Sequence, residues 1–368
     1  MKKVKKNLYL ASSSDKDVES YVKKDIKYPE SESGITLDLV KRVLQRESSV
    51  NRLVSIDIDR DFGSWSLLGD IVKVKLNYSE SGCEPETVIV KFQKTSYPER
   101  EGQIYQLLSE VKIPCIPRLF GIFDNGALVL EDMSPTEPVS VKNLTIPQVK
   151  EVISILAEVN GRFVGDSRVP KNPVIQYTNV IKHNMKESWP VFETRYHDQL
   201  GDVTTDFDWI WKNAEVVSAQ HNSEPTTLSH TDVHIENLLF TDENKPILID
   251  WQLAGQKVLP FDVSRLLACS LKVEERQKYE DRLLNEYYEL LPDPVKAGYS
   301  FERFFLDYRA CITRSMLSAV MAVGPRFESR PDKLEYADIM AKQVIAAVKD
   351  LKPVDAIQEL IRRNISKP

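Results

Sequence analysis

The chain has 368 residues, 42% hydrophobic and 28% charged, the proportions of an ordinary globular protein with room for a sizeable core. Its net charge of -6 argues against nucleic acid as a partner bound by phosphate neutralisation. Cys83, Cys115, Cys269 and Cys311 are scattered without a Cys-x-x-Cys pair, which argues against a zinc ribbon or a disulfide framework and suits a reducing compartment.

Residues 1–33 are lysine-rich and serine-rich without periodicity, and are expected to form a flexible lead. Their one apolar stretch, Leu8-Tyr9-Leu10-Ala11, is too short for a signal peptide. No run elsewhere is long enough to span a membrane, so a cytoplasmic placement is expected. From Thr36, a plausible N-cap, Leu37, Val40, Val43 and Leu44 recur at helical spacing.

The period then changes to that of strands. Val54 to Ile58 alternates, and Ile71 to Leu76 is rich in β-branched residues. Between them, the loop from Asp61 to Asp70, which includes Ser64, can lie over phosphates through its backbone N–H groups or be an ordinary hairpin loop. Asp61-Phe62-Gly63 spells the magnesium motif of protein kinases. It stands too early in the chain for that role.

Thr87 to Phe92 is the next strand, with Lys91 inside a buried-looking run. An edge or snorkelling lysine is one reading; a lysine that pairs with phosphates is the other. The helix that follows, Glu99 to Val111, carries Ile104, Leu107, Leu108 and Val111 as one stripe. Glu101 opens its first turn and can hold Lys91 in an ion pair, with Glu99 as the competing partner. Leu119 to Phe123 and Ala127 to Leu130 are strands joined by an Asp124-Asn125-Gly126 turn signal. Glu131-Asp132-Met133 follows, either as a solvated strand end or as a hinge.

Beyond it the pattern is helical. Thr145 and Gln148 have capping-box spacing, with Val149, Val152, Ile153, Leu156, Val159 and Phe163 on one face. Tyr177, Trp189, Phe192, Tyr196, Trp209 and Trp211 lie in the segment after it. They can cage a cationic acceptor, but helix-packing core is the better reading.

The centre of the chain is Leu228 to Trp251. Leu238 to Phe240 and Ile247 to Ile249 flank the polar cluster Thr241 to Lys245, which reads as a hairpin. With the turn centred between Glu243 and Asn244, Phe240 opposes Ile247 and Asn237 opposes Asp250. The oxygens of Asp232, Asn237 and Asp250 then converge, which suits a hard divalent cation and a phosphate. After the hairpin, Asp262 starts a helix. The C-terminal third is helical, with Cys311 to Val323 apolar enough to be a buried helix.

His230-Thr231-Asp232-Val233-His234-Ile235-Glu236-Asn237, followed by Ile249-Asp250-Trp251-Gln252, resembles the catalytic segment of the kinase-like small-molecule phosphotransferases. These include the aminoglycoside phosphotransferases and the choline kinases; the ending looks closest to the ecdysteroid-kinase-like branch. Glu101-Gly102-Gln103-Ile104-Tyr105 looks like that family's Glu-x-x-x-Tyr helix. The resemblance implies an α+β, bilobal protein-kinase-like fold: an antiparallel N-lobe over 34–132 that binds the nucleotide, and a mainly helical C-lobe over 133–368. It implies ATP as co-substrate, Mg2+ as cofactor and a small-molecule hydroxyl as acceptor. Asp232 is then the catalytic base, and Asn237 and Asp250 hold the metal. Lys91, Glu101, Ser64, Glu131 and Met133 serve ATP, the last two as a hinge against adenine. Asp262 braces the catalytic loop. Asn160 departs from the family, which usually has histidine there. Two alternatives stand beside this reading: a metal-dependent hydrolase using His230, Asp232, His234 and Asp250, and a nucleotide-binding pseudokinase module.

Overall fold

A computed structural model describes residues 34–59, 69–93, 99–113, 116–123, 126–133, 143–171, 174–324 and 331–365. The lead over 1–33, Ser64, the 61–63 triplet and Cys115 lie outside the described residues.

The first third is built on a five-stranded sheet. Its strands are β1 (Leu53–Asp59), β2 (Gly69–Tyr78), β3 (Thr87–Gln93), β4 (Leu119–Ile122) and β5 (Leu128–Glu131). Their order is β1-β2-β3-β5-β4, and every pairing is antiparallel. Alternation decides what each face meets. Val72, Val74, Val88, Val90 and Phe92 are buried in one cluster with Leu39, Val40 and Leu44, from or just after helix α1 (Leu37–Val43). That helix is capped by Thr36, whose side chain accepts from the Leu39 N–H. Lys91 belongs to the other face, toward helix α2 (Glu99–Glu110), which buries Ile104, Tyr105, Leu107 and Leu108. Gly102 lets this helix come close: a Cβ there would lie 2.6 Å from Ile122 Cδ1.

The remainder is mainly helical. In chain order it contains α3 (Ile146–Arg162), α4 (Val174–Arg195), α5 (His197–Leu200), α6 (Thr204–Lys212) and α7 (Ala214–His221). After the central hairpin come α8 (Phe261–Ser270), α9 (Val273–Leu290), α10 (Asp293–Gly298), α11 (Phe301–Ala322), α12 (Pro331–Leu351) and α13 (Pro353–Ile365). Thr145 and Gln148 form the expected capping box at the start of α3. Every residue of α8 is buried, so this helix is the axis on which α3, α11 and α12 pack. The aromatic segment is core: Trp189 stacks on Phe207 with centroids 5.5 Å apart, and Phe192 packs against Phe207 and Tyr196. The side chain of Tyr177 lies outside the described residues. Among the described residues, no helix is long and apolar enough to cross a membrane.

Two short ladders hold the centre. Strand β6 (Thr226–Ser229) pairs antiparallel with β9 (Gly255–Val258), and β7 (Leu238–Phe240) with β8 (Pro246–Leu248). The hairpin is where the sequence placed it, but its register is one residue off the expectation. Phe240 pairs with Pro246 and Leu239 with Ile247. The cause is the turn. Asn244 adopts a left-handed conformation, φ +61°, and the Thr241 N–H donates to Lys245 O at 2.9 Å. This odd-numbered loop centres the turn on Glu243 rather than between two residues. Asn237 therefore faces Ile249, whose N–H donates to Asn237 O at 3.1 Å, and Asp250 is the next residue along.

Candidate active site

The loop after β6 turns sharply at Thr231, whose φ is +70°. A β-branched residue resists that conformation, and such strain costs about 1–3 kcal/mol. Asp262, at the start of α8, holds it in place. Its Oδ2 accepts from the His230 N–H and its Oδ1 from the Thr231 N–H, each at 2.8 Å. Thr231 Oγ1 donates to Leu253 O at 2.9 Å. Burial pushes the Asp262 carboxyl up from its ordinary value, against the pull of His230 and the two N–H donors. Asn160 completes the brace. Its Nδ2 donates to Leu228 O at 2.7 Å, and its Oδ1 accepts from Tyr287 at 2.7 Å. A loop fixed this way depends on its acceptor. Asp262→Ala leaves two buried N–H groups unpaired and should cost about 3 kcal/mol or more, read as a lower denaturant midpoint with an unchanged slope.

His230 also braces. Its Nε2 lies 2.8 Å from Ile249 O, as donor, and its Nδ1 accepts from the Asp232 N–H at 3.4 Å. The ring packs on Trp251, centroids 4.5 Å apart. Both ring nitrogens are engaged, which leaves neither lone pair for a metal. Among the described residues, no group of three or more His, Cys, Asp and Glu side chains could hold a metal ion. The mixed histidine-aspartate centre of a hydrolase therefore has no support in the geometry.

Asp232 is the junction of the site. Its Oδ1 meets Arg265 Nη2 at 3.1 Å and Arg314 Nη2 at 3.4 Å. Its Oδ2 lies 3.4 Å from Asn237 Nδ2 and 3.5 Å from His234 Nε2. Burial would raise its pKa, but His234, Arg265 and Arg314 outweigh burial and hold it well below the ordinary carboxylate range. Asp232 is thus a carboxylate throughout the neutral range. Its folded-state pKa is depressed, so its contribution to stability is present above about pH 4 and is lost as the pH falls further. Any acid limb in kcat/KM above about pH 5 should then belong to another group and survive in Asp232→Asn.

Asn237 donates from Nδ2 to Asp232 O at 2.9 Å, and its Oδ1 accepts from none of the described residues. Asp250 follows β8 in a left-handed conformation, φ +66°. Its Oδ2 accepts from Gln252 Nε2 at 3.0 Å, and its Oδ1 pairs with Lys91 Nζ at 2.6 Å. Lys91 also pairs with Glu101 at 2.8 Å. Burial would lower the Lys91 ammonium, yet the Glu101 and Asp250 carboxylates keep it above its ordinary value. Glu101, not Glu99, is the partner in this geometry. One ammonium between two carboxylates thus links β3, α2 and Asp250, two residues past β8.

The hinge candidates stand apart from this cluster. The Glu131 N–H donates to Arg118 O at 2.8 Å, which leaves at most the Glu131 carbonyl for an adenine. Asp132 is not solvated: its Oδ2 pairs with Lys73 at 2.7 Å and accepts from Thr87 Oγ1 at 2.6 Å. Sequence reasoning missed Arg265, Arg314 and Tyr336, whose OH lies 3.2 Å from His234 Nδ1. A legible signal existed for Arg314, a charge inside the otherwise uncharged run Cys311 to Val323, which needs a buried partner.

A family model described as "Uncharacterized oxidoreductase dhs-27" matches residues 181–357, just under half of the chain. The Caenorhabditis elegans relative described as "Uncharacterized kinase-like protein D1044.1" is 31% identical over 184 residues, 44% of this chain and 46% of that one. The chain thus spans about half the length of the curated relative it matches. Among solved structures, the AMP-bound spectinomycin phosphotransferase APH(9)-Ia superposes with a TM-score of 0.52 at 14% identity, covering 85% of this chain and 98% of that chain. An aminoglycoside phosphotransferase from Alicyclobacillus acidocaldarius does so at 0.50 and 16% identity, covering 85% and 93%. The fold is that of the kinase-like small-molecule phosphotransferases.

The phosphotransferase fold accounts for the antiparallel sheet, the helical remainder and the hairpin within that remainder. It leaves the word oxidoreductase in the family model's description without a structural counterpart. Every strand pairing among the described residues is antiparallel, whereas a dinucleotide-binding sheet is mostly parallel.

Proposed function

We propose that this protein transfers the γ-phosphate of ATP to a hydroxyl of a small molecule, with residues 34–132 as the nucleotide-binding lobe and 133–368 as the lobe carrying the acceptor site. The observation that carries the reading is the Glu101–Lys91–Asp250 chain, at 2.8 and 2.6 Å. A lone structural ion pair needs one carboxylate. Here two carboxylates hold one lysine, and the residual negative charge suits a cation.

The donor set fits magnesium. Asp250 and Asn237 Oδ1 are hard oxygen donors, and Mg2+ ordinarily takes one or two protein groups and completes its shell with phosphates and water. Bound there, magnesium would neutralise the phosphate oxygens in flight. Lys91, oriented by Glu101, would meet the α- and β-phosphates. Glu131 and Met133 would offer backbone groups to adenine, and Ser64, outside the described residues, would serve the phosphates.

Asp232 would accept a hydrogen bond from the acceptor hydroxyl. The hydroxyl oxygen bonds to the γ-phosphorus while the bond from that phosphorus to the β–γ bridging oxygen breaks. ADP leaves with the electron pair, and the hydroxyl proton passes to Asp232. A carboxylate this acidic is a poor base before the transition state, so its work is to orient the hydroxyl and take the proton late. Free thiols at Cys83, Cys269 and Cys311 agree with a cytoplasmic placement.

The test is product formation. Incubated with Mg-ATP and a panel of small alcohols, the chain should release ADP in step with a phosphate ester seen by phosphorus NMR. Ester cleavage without ATP, by protein carrying zinc or manganese, would contradict the reading.

A further inference from the structure

The charges around Asp232 do not balance. Arg265 and Arg314 both reach its Oδ1, at 3.1 and 3.4 Å, and among the described residues neither guanidinium pairs with any other carboxylate. Among the described residues, these two buried cations therefore share one anion. Burial of an uncompensated charge is costly unless something neutralises it. Lys257, buried near Arg314, has its ammonium pushed down to about 7, first by burial and then by that arginine.

Arg265 also holds unused donors. It is 3% exposed, its Nε has no partner, and its Nη1 meets only the sulfurs of Cys269 at 3.0 Å and Met340 at 3.9 Å. Thioether and thiol sulfurs are weak acceptors. A guanidinium buried this deeply ordinarily has its fork filled by a carboxylate or a phosphate. Arg314 Nη1 is bonded to Ser318 Oγ, which aims its other nitrogen at Asp232.

Position separates this cation pair from the phosphates of ATP. Asp232 turns Oδ2 toward Asn237 and Oδ1 toward α8 and α11. Asn237 is tied to the Ile249–Asp250 side, where Lys91 lies. The arginines hold the carboxylate oxygen that Asn237 does not.

We propose that the acceptor is an anionic alcohol, whose carboxylate or phosphate group is gripped by Arg265 and Arg314 beside Asp232. This inference rests on the phosphotransferase reading and narrows it. A quaternary ammonium or a polyamine would meet two like charges at the reacting hydroxyl and be repelled.

The experiment titrates the full chain, first without nucleotide, with D-glycerate, glycerol 3-phosphate, glycerol and choline, following the thermal midpoint. At least one of the two anions should raise the midpoint saturably, and the stronger identifies the anionic group; glycerol and choline should not. Arg314→Met should weaken that anion about tenfold or more. Asp232→Asn, which removes the competing carboxylate without removing its volume, should strengthen it about tenfold. With Mg-ATP present, the anion that binds should release ADP. The proposal is overturned if choline stabilises more than either anion, if neither anion binds, or if Arg314→Met leaves the effect unchanged. Anion binding without ADP release, in protein that Mg-ATP still stabilises, overturns the substrate class alone. Absence of any Mg-ATP stabilisation is the separate failure of the phosphotransferase reading.

Discussion

Asp232→Ala should lower the rate of phosphate transfer by about 10³-fold or more while leaving Mg-ATP affinity nearly unchanged. The asymmetry follows from what the carboxylate touches. Its partners are Arg265, Arg314, His234 and Asn237, all on the acceptor side or on the loop itself. Lys91 and Glu101 lie outside its contacts. The variant also leaves two buried guanidiniums without a carboxylate partner among the described residues. Breaking a buried pair costs about 3–5 kcal/mol, and the partial exposure of Asp232 brings the loss toward the low end or below it. Asp232→Asn keeps the volume and one acceptor oxygen and is the companion that separates chemistry from folding. Single-turnover transfer and ATP titration calorimetry on both variants check the split. Equal loss of binding and transfer would place Asp232 at the nucleotide instead.

Asp250→Asn should do the reverse, weakening Mg-ATP about tenfold to a hundredfold before any chemistry occurs. The carboxylate bonds Lys91 at 2.6 Å and is the one charged oxygen donor proposed for the metal. The amide keeps the shape and removes the charge. Lys91 retains Glu101 at 2.8 Å, so the buried ammonium is not orphaned and the fold should survive with a modest loss. ATP measured without magnesium should be affected much less than Mg-ATP. Identical losses with and without magnesium would mean that Asp250 acts on Lys91 and not on a metal.

Much of this was legible in the sequence because it rests on local chemistry. The capping box at Thr145 and the alternation of Val72, Val74, Val88 and Val90 follow from side-chain periodicity and from the short reach of a hydroxyl. Lys91 was ambiguous from its strand alone, and the buried Glu101 across the helix decides its partner. What escaped depends on backbone conformation and on distant packing. Nothing in Thr241 to Lys245 states that Asn244 adopts a left-handed turn, and that one residue shifts the hairpin register. The site tolerates the shift because Asp250 remains next to the residue facing Asn237. Arg265 lies three positions after Asp262, on the same helix, and only the packing of α8 against α11 brings it to Asp232 together with Arg314. Asn160, where the resemblance implies a histidine, joins Leu228, Tyr287 and Asp262, so an amide serves as the brace.

The most direct measurement is the thermal unfolding of the wild-type chain with and without saturating Mg-ATP. A ligand at about 100 times its dissociation constant adds roughly 2.7 kcal/mol, and in a chain of this size that raises the midpoint by a few degrees. The account predicts that rise, its dependence on magnesium and its loss in Asp250→Asn. An unchanged midpoint at saturating Mg-ATP would contradict it.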